Sequence, residues 1–235
     1  MKEKKYYIII CALVIVLGLL IGYFINDHKT DDNTNSNANK ETTTYSSDDL
    51  FTERDLSTDI DLSNATKYTV SDDTDITITN EGTYVISGTS NNTTIYVEVD
   101  DEAKVELVLD GVNITNTNYP CIYIKSGDKV FITTTSESIL SVTGSFKAND
   151  ENNVNGVIYS KSDITLKGSA KLTINSSYNG IVSKDGIKIT GGIYNITSVA
   201  NGIRANDYIV ISDGTLTINS GTDGLHAEYD ADDIV

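Results

Sequence analysis

Asp185 and Asp207 stand 22 residues apart, and Asp223 is followed within one short stretch by Glu228 and Asp230. Carboxylates are hard oxygen donors, and calcium takes six to eight such oxygens from Asp, Glu, Asn and backbone carbonyls. Two carboxylates brought side by side repel unless a cation or a proton lies between them. These five acids are therefore the candidate calcium ligands. The competing use is structural, since Asn and Asp side chains at turns commonly bond nearby backbone amides.

The aromatic residues offer a second chemistry. The chain has fourteen Tyr, four Phe and no Trp, and exposed ring faces stack on sugar rings while the phenol hydroxyl bonds their polar edges. Tyr208 is out of phase with Ile209 and Ile211, and Tyr178 precedes a corner, so both are expected at the surface. Tyr123 and Tyr159 are expected at equivalent strand positions one repeat apart, whereas Tyr194 aligns with Leu172 and Leu216 and belongs to the core. Lys188 and Arg204 join Tyr178, Tyr208, Tyr123 and Tyr159 as candidate carbohydrate contacts. As general bases Lys184, Lys188 and Arg204 are poor, because neighbouring Asp residues favour their protonated forms. His28 and His226 are the only histidines. His226 is expected to face solvent beside the acidic corner, and no nucleophile–base–acid set is visible. No catalytic residue is assigned.

These side chains need a scaffold that brings positions 22 apart together. Leu172/Ile174, Tyr194/Ile196 and Leu216/Ile218 recur at 22 and 22; Ile164/Leu166, Ile187/Ile189 and Ile209/Ile211 at 23 and 22; Val157, Ile181, Ile203 and Leu225 at 24, 22 and 22. Each pair skips one residue, the period of a strand with one buried face. Three short strands per coil of about 22 residues, joined by corners such as Asn179-Gly180, Gly191-Gly192, Asp213-Gly214 and Asp223-Gly224, predict an all-β, single-chain parallel β-helix of the usual right-handed sense. Its core coils are expected over 74–235. In such a stack Asn179, Asn201 and Asp223 form one column, and Asp185 lies beside Asp207. A β-sandwich also has short strands, but it does not require corners repeating in register. The run SFKANDENN (145–153) is expected to bulge from one corner, and 48–73, with Leu50, Phe51, Leu56 and Ile60 near helical spacing, to cap the open N-terminal end.

The remaining segments concern placement. Residues 6–25 carry no charge and are mostly apolar, long enough at ~1.5 Å per residue to cross the ~30 Å core of a bilayer. They predict one transmembrane helix acting as an uncleaved signal anchor. A cleaved signal peptide is the alternative, although no A-x-A-like site ends the run. Lysines in 1–5 and aspartates beyond the run put the rest of the chain outside the cell. The polar segment 26–47 predicts a flexible tether. Beyond it Cys121 is the single Cys, so no intramolecular disulfide is expected in the ectodomain. The net charge of −17 argues against nucleic acid and suits cations or neutral polymers.

The ordered set EGTYVISG (81–88), VELVLDGVNIT (105–115), NGIVSKDGIKITGG (179–192) and DGLHAE (223–228) resembles the bacterial carbohydrate-binding domain family with a polysaccharide-lyase-like parallel β-helix, best known from clostridia. The resemblance covers roughly residues 50–235. It implies binding of pectin- or cellulose-type polysaccharide with structural calcium and without established catalysis; a lyase acting on uronates and a protein-binding scaffold are the alternatives, and the domain is expected to be a monomer. Two corners depart from the family pattern, where Asn179 and Asn201 stand in place of the usual Asp. The pattern also continues in the family past the DGL corner, whereas this chain ends at 235, so the coil there is expected to be incomplete.

Overall fold

Registers between strands carry the repeat into three dimensions. In the computed structural model, which describes residues 50–147 and 153–228 together with the backbone of 6–8, Leu172 pairs with Tyr194 and Tyr194 with Leu216. Ile164, Ile187 and Ile209 stack likewise. The third series corrects the sequence spacing. Ile158, not Val157, pairs with Ile181, and Ile181 continues to Ile203 and Leu225. Val157 and Ile158 are both fully buried, so alternation alone could not choose between them.

The chain is a parallel β-solenoid of about 6 turns. One flank is the seven-stranded sheet β3 (Ile76–Ile78), β5 (Ile95–Glu98), β7 (Ile122–Ser126), β10 (Gly156–Ser160), β13 (Asn179–Ser183), β15 (Ile203–Ala205) and β17 (Leu225–Ala227). The other two flanks merge, because β4 (Gly82–Asn91), β6 (Lys104–Asn116), β14 (Ile187–Ser198) and β16 (Ile209–Ser220) run through the corner between them. In the intervening coils that corner splits the strand, into β8 (Lys129–Ser136) and β9 (Ser138–Val142), then β11 (Asp163–Gly168) and β12 (Lys171–Ser176). Inward Val, Ile and Leu side chains of all three flanks form one continuous core that includes Tyr194, as the sequence predicted. Free Cys121 is buried in it, its thiol pushed up to about 12 by loss of hydration.

Glycine at the corners acts in two ways. Gly168, Gly192 and Gly214 have positive φ. At Gly180 and Gly202 the reason is space instead: a Cβ on Gly180 would stand 2.5 Å from the Gly202 carbonyl, and one on Gly202 2.6 Å from that of Gly224. The NG and DG pairs thus recur because successive coils touch backbone to backbone there. Asn201 lies over Asn179 as expected, its N–H donating to Asn179 Oδ1 at 3.0 Å, and Asp223 N–H donates to Asn201 Oδ1 at 3.2 Å.

The N-terminal part departs from expectation in three places. The stack begins earlier than 74, since β2 (Thr66–Thr69) already pairs with β4. The short helix α1 (Glu53–Leu56) does not close the N-terminal end of the stack but lies against the outer side of β8, β11 and β14. Capping an end needs an apolar underside, and the one buried residue of α1 is Asp55. Finally, Tyr6–Ile8, predicted as the start of a membrane helix, forms strand β1, antiparallel to β16, whose free edge offers unpaired backbone groups. Residues 9–25 of that prediction, and all of the tether 26–47, lie outside the described residues. Among the described residues no helix is long and apolar enough to cross a membrane.

Candidate functional site

The seven-stranded flank carries one column of outward side chains along its whole length: Thr77, Tyr96, Tyr123, Tyr159, Val182, Arg204 and His226. Tyr123 and Tyr159 do stack one coil apart, edge to face at 5.5 Å. They are not the exposed platforms expected, being only 2% and 1% exposed. The insertion explains this. Its distal end folds back and lays Val154 over the two rings, with Val182, Tyr96 and Tyr119 completing the cluster. Its tip, 148–152, lies outside the described residues.

What the insertion leaves open is the N-terminal end of the column. There Tyr96 and Tyr119, half-buried with centroids 6.3 Å apart and rings inclined by 49°, line a groove of about 540 Å³ with Asp73, Asp75, Asn92, Asn118 and Lys147. Lys125 Nζ covers part of the Tyr96 ring at 4.5 Å and pairs with Glu98 at 2.9 Å. Burial and then Tyr119 raise the Tyr96 pKa, so its phenol stays a neutral donor and acceptor. The floor is rigid. Asn92 Nδ2 donates to Asp73 Oδ1 at 3.3 Å while its Oδ1 accepts from Thr117 N–H and Oγ1, and Asp75 accepts from Thr94 N–H at 2.8 Å. Asp73 and Asn92 both adopt positive φ, the conformation that Asp and Asn tolerate best. None of these groove residues stood out in the sequence, because the coils here run 19 residues, from Ile76 to Ile95, and 27, from Ile95 to Ile122, against 22 further on; the Ile95/Ile122 spacing was the available signal.

The acids predicted to bind metal divide into two places. Asp185 and Asp207 are brought together, with Asp163 one coil below. Burial, then the charge of Asp163 and the contact with Asp207, push the Asp185 carboxyl from 3.8 up to about 6. Asp163 accepts from Gly186 N–H at 2.9 Å and from the Tyr208 hydroxyl at 3.1 Å. Tyr208 is thus half-buried, its ring where a Gly186 side chain would stand, and not a free surface ring. At the other corner His226 contacts Asp223 at 2.9 Å and Glu228 at 3.3 Å, and Arg204 lies 3.6 Å from Glu228. These acids are engaged by side chains of the chain itself, both by the His226 ring and Glu228 also by Arg204, and Asp230 lies outside the described residues. Among the described residues no group of three or more His, Cys, Asp or Glu is arranged to hold a metal ion.

A pH profile tests the Asp185 arrangement. An acid with a raised folded pKa stabilises the fold below its unfolded pKa and loses that contribution as pH rises through the folded value. Stability is therefore expected to fall between about pH 4 and pH 6, and Asp185→Asn to flatten that fall in urea titrations. An unchanged slope would show that the carboxylates are not coupled.

Lys188 is the clearest misplacement. Its ammonium donates to the Leu50 carbonyl at 2.6 Å and to Asp55 Oδ2 at 3.2 Å, covered by the α1 segment and not offered to solvent. Tyr178 is exposed at 48% as expected, but it sits on a different corner from Tyr208, so the six predicted carbohydrate contacts do not converge on one surface. The tyrosines that do converge on an open groove, Tyr96 and Tyr119, are not among the six.

A tyrosine-lined groove on a β-solenoid also fits what the chain is similar to. A family model described as carbohydrate-binding domain-containing protein matches residues 72–235. The chain belongs to this carbohydrate-binding domain family. A carbohydrate-binding domain-containing protein of Acetivibrio thermocellus is 44% identical over 128 residues, covering 52% of this chain and 44% of that protein. The chain thus spans less than half the length of this relative. A solved structure titled polysaccharide lyase-like protein from C. thermocellum, a gadolinium derivative, matches with a TM-score of 0.56 and 28% identity over 69% of this chain and 94% of that one.

Proposed function

We propose that the protein binds polysaccharide of the pectin or cellulose type without cleaving it, and that the groove between Tyr96 and Tyr119 holds the sugar. The observation that carries this reading is a pair of half-exposed rings beside carboxylate, amide and ammonium groups in a family of carbohydrate-binding domains. Sugar rings present apolar faces to the tyrosines and hydroxyls to Asp73, Asn118 and Lys147. Tyr119→Ala is expected to weaken retention on insoluble glucan or pectin about tenfold, roughly 1.4 kcal/mol. Retention equal to that of the unaltered protein would move the site elsewhere.

The second reading, eliminative cleavage of uronates, draws on the lyase-like name of the structural neighbour. It requires a Lys or Arg side chain that can give up its proton and act as base; of the candidates, Lys188 and Arg204 are engaged with carboxylates, while Lys184 is exposed. Ultraviolet absorbance of pectin mixed with the protein is expected to stay flat; a rise from 4,5-unsaturated product would select the lyase. Calcium belongs to the proposal at Asp185 and Asp207, which fit a shared cation in charge but supply only two of the ligand side chains. If it binds there, millimolar calcium raises the melting temperature at pH 7 and does not do so for Asp185→Asn. Placement of the solenoid outside the cell as a monomer completes the reading and rests on the charge pattern of residues 1–32.

A further inference from the structure

The α1 segment covers the outer side of the flank formed by β6, β8, β11 and β14, where one column reads Glu106, Phe131, Thr165, Lys188. Into this surface the segment inserts a carboxylate. Asp55, 0% exposed, accepts from Thr165 Oγ1 at 2.7 Å, from Lys188 Nζ at 3.2 Å and from Lys129 Nζ at 3.4 Å. Next to it Lys167 Nζ donates to the carbonyls of Arg54 and Ser57 and lies 3.5 Å from Glu106. The Arg54 guanidinium covers the Phe131 ring at 4.4 Å.

Two features make this more than a packed N-terminal segment. The pocket's hydroxyl and ammonium groups are supplied by the sheet: Lys129 stands on β8, Thr165 and Lys167 on β11, and Lys188 on β14. The segment, by contrast, is held almost wholly through polar groups. Leu56 is 52% exposed, Leu50 and Phe51 are half-buried, and Asp55 is the one residue of α1 that is buried. A segment held by polar contacts, with little apolar area to keep it in place, yields to a ligand that offers the same ammonium groups a carboxylate in exchange. A cleft of about 250 Å³, lined by Leu56, Ser57, Lys167, Thr190 and Asp213, already opens beside its C-terminal end.

We propose that residues 50–57 form a displaceable strap, and that Asp55 occupies in cis a carboxylate pocket which, when the strap lifts, takes the acid groups of a uronate-bearing saccharide. The Phe131 ring with Thr133, Thr165 and Thr190 around it supplies the aromatic face and hydroxyls that a sugar needs and a simple anion does not. The proposal rests on the carbohydrate-binding reading and adds a second face, selective for acidic chains and closed at rest.

The test uses the full chain with three probes: oligogalacturonate, a neutral cello-oligosaccharide and polyglutamate. Asp55→Asn is expected to raise affinity for oligogalacturonate at least about tenfold, the effect of some 1.4 kcal/mol, and Asp55→Asn with Lys129→Met to lose the gain. Retention of the neutral chain, which reports the Tyr96–Tyr119 groove, stays unchanged in both. Loss of neutral binding in the unaltered protein would strike the groove reading alone, whereas folded Asp55→Asn with unaltered oligogalacturonate affinity would overturn the strap. Polyglutamate gaining as much as oligogalacturonate would overturn the assignment to saccharide. Should Asp55→Asn not fold, amide exchange of 52–57 in the unaltered protein decides: oligogalacturonate is expected to abolish its protection, and unchanged protection would refute the proposal.

Discussion

Replacing Asn116 by Ala is expected to cost about 3–5 kcal/mol of stability and to disrupt the proposed saccharide groove at the same time. Asn116 is 2% exposed at the end of β6. Its Oδ1 accepts from Thr93 N–H at 2.8 Å, and its Nδ2 donates to the carbonyls of Thr93 at 2.9 Å, Pro120 at 2.9 Å and Tyr119 at 3.2 Å. One amide therefore ties the coil below to the turn that presents Tyr119. Alanine leaves the Thr93 N–H and carbonyl without these partners in a buried setting, at about 1–3 kcal/mol for each group so stranded. Pro120 retains one bond, from Thr94 Oγ1 at 2.7 Å, which limits the sum. Asn116→Asp should be worse, because it turns a carboxylate oxygen toward three carbonyls. Urea denaturation together with polymer retention measures both consequences. A loss below about 1 kcal/mol, the worth of a single ordinary hydrogen bond, would mean that the amide does not organise this turn.

The second large effect is expected at Gly168. Its φ is +119°, and a Cβ there would stand 2.3 Å from the carbonyl oxygen of Thr134 and 2.6 Å from its nitrogen. Both are backbone atoms of the coil below, held by the pairing of β8 with β11 in which Gly168 faces Thr134. Neither can move without breaking that ladder. Backbone strain of about 1–3 kcal/mol adds to overpacking of similar size, so Gly168→Ala is expected to lower stability by about 3–5 kcal/mol, roughly 10 °C or more in a chain of this length. Gly111→Ala is the control. It too has positive φ, +71°, but its added Cβ would meet nothing closer than Ser136 Cβ at 3.9 Å, so it carries the backbone strain alone. Equal melting temperatures for the two variants would remove coil-to-coil contact as the reason for the glycine.

The buried charges raise a related question of balance. Burial alone would raise the Asp55 pKa, yet hydrogen bonds from Thr165 and Thr52 together with the Lys129 charge hold it well below the usual carboxylate range. The carboxylate is thus ionised throughout the neutral range and stays bound to the ammonium groups around it. Acid, by protonating it, is expected to loosen the segment before the solenoid unfolds. The folded pKa is depressed, so the contribution is present above the unfolded value and lost as pH falls through the folded one.

The sequence by itself determined the solenoid, because a strand with one buried face writes its period directly into the order of Ile, Leu and Val, and because corners that touch their neighbours accept little but Gly, Asn and Asp. The columns Leu172–Tyr194–Leu216 and Asn179–Asn201–Asp223 and the nearness of Asp185 to Asp207 followed from that period alone. The same logic failed where both sides of a strand are buried, which is why Val157 was aligned in place of Ile158. Only the tertiary structure decided which outward side chains reach solvent. Tyr123 and Tyr159 point outward as the period requires, yet Val154 and Tyr119 cover them; Lys188 points outward too, yet α1 lies over it. Alternation along a strand fixes the side of the sheet on which a residue projects. What lies on top of that side comes from segments distant in sequence, the insertion after Gly144 and the residues before β2, which carry no period to place them.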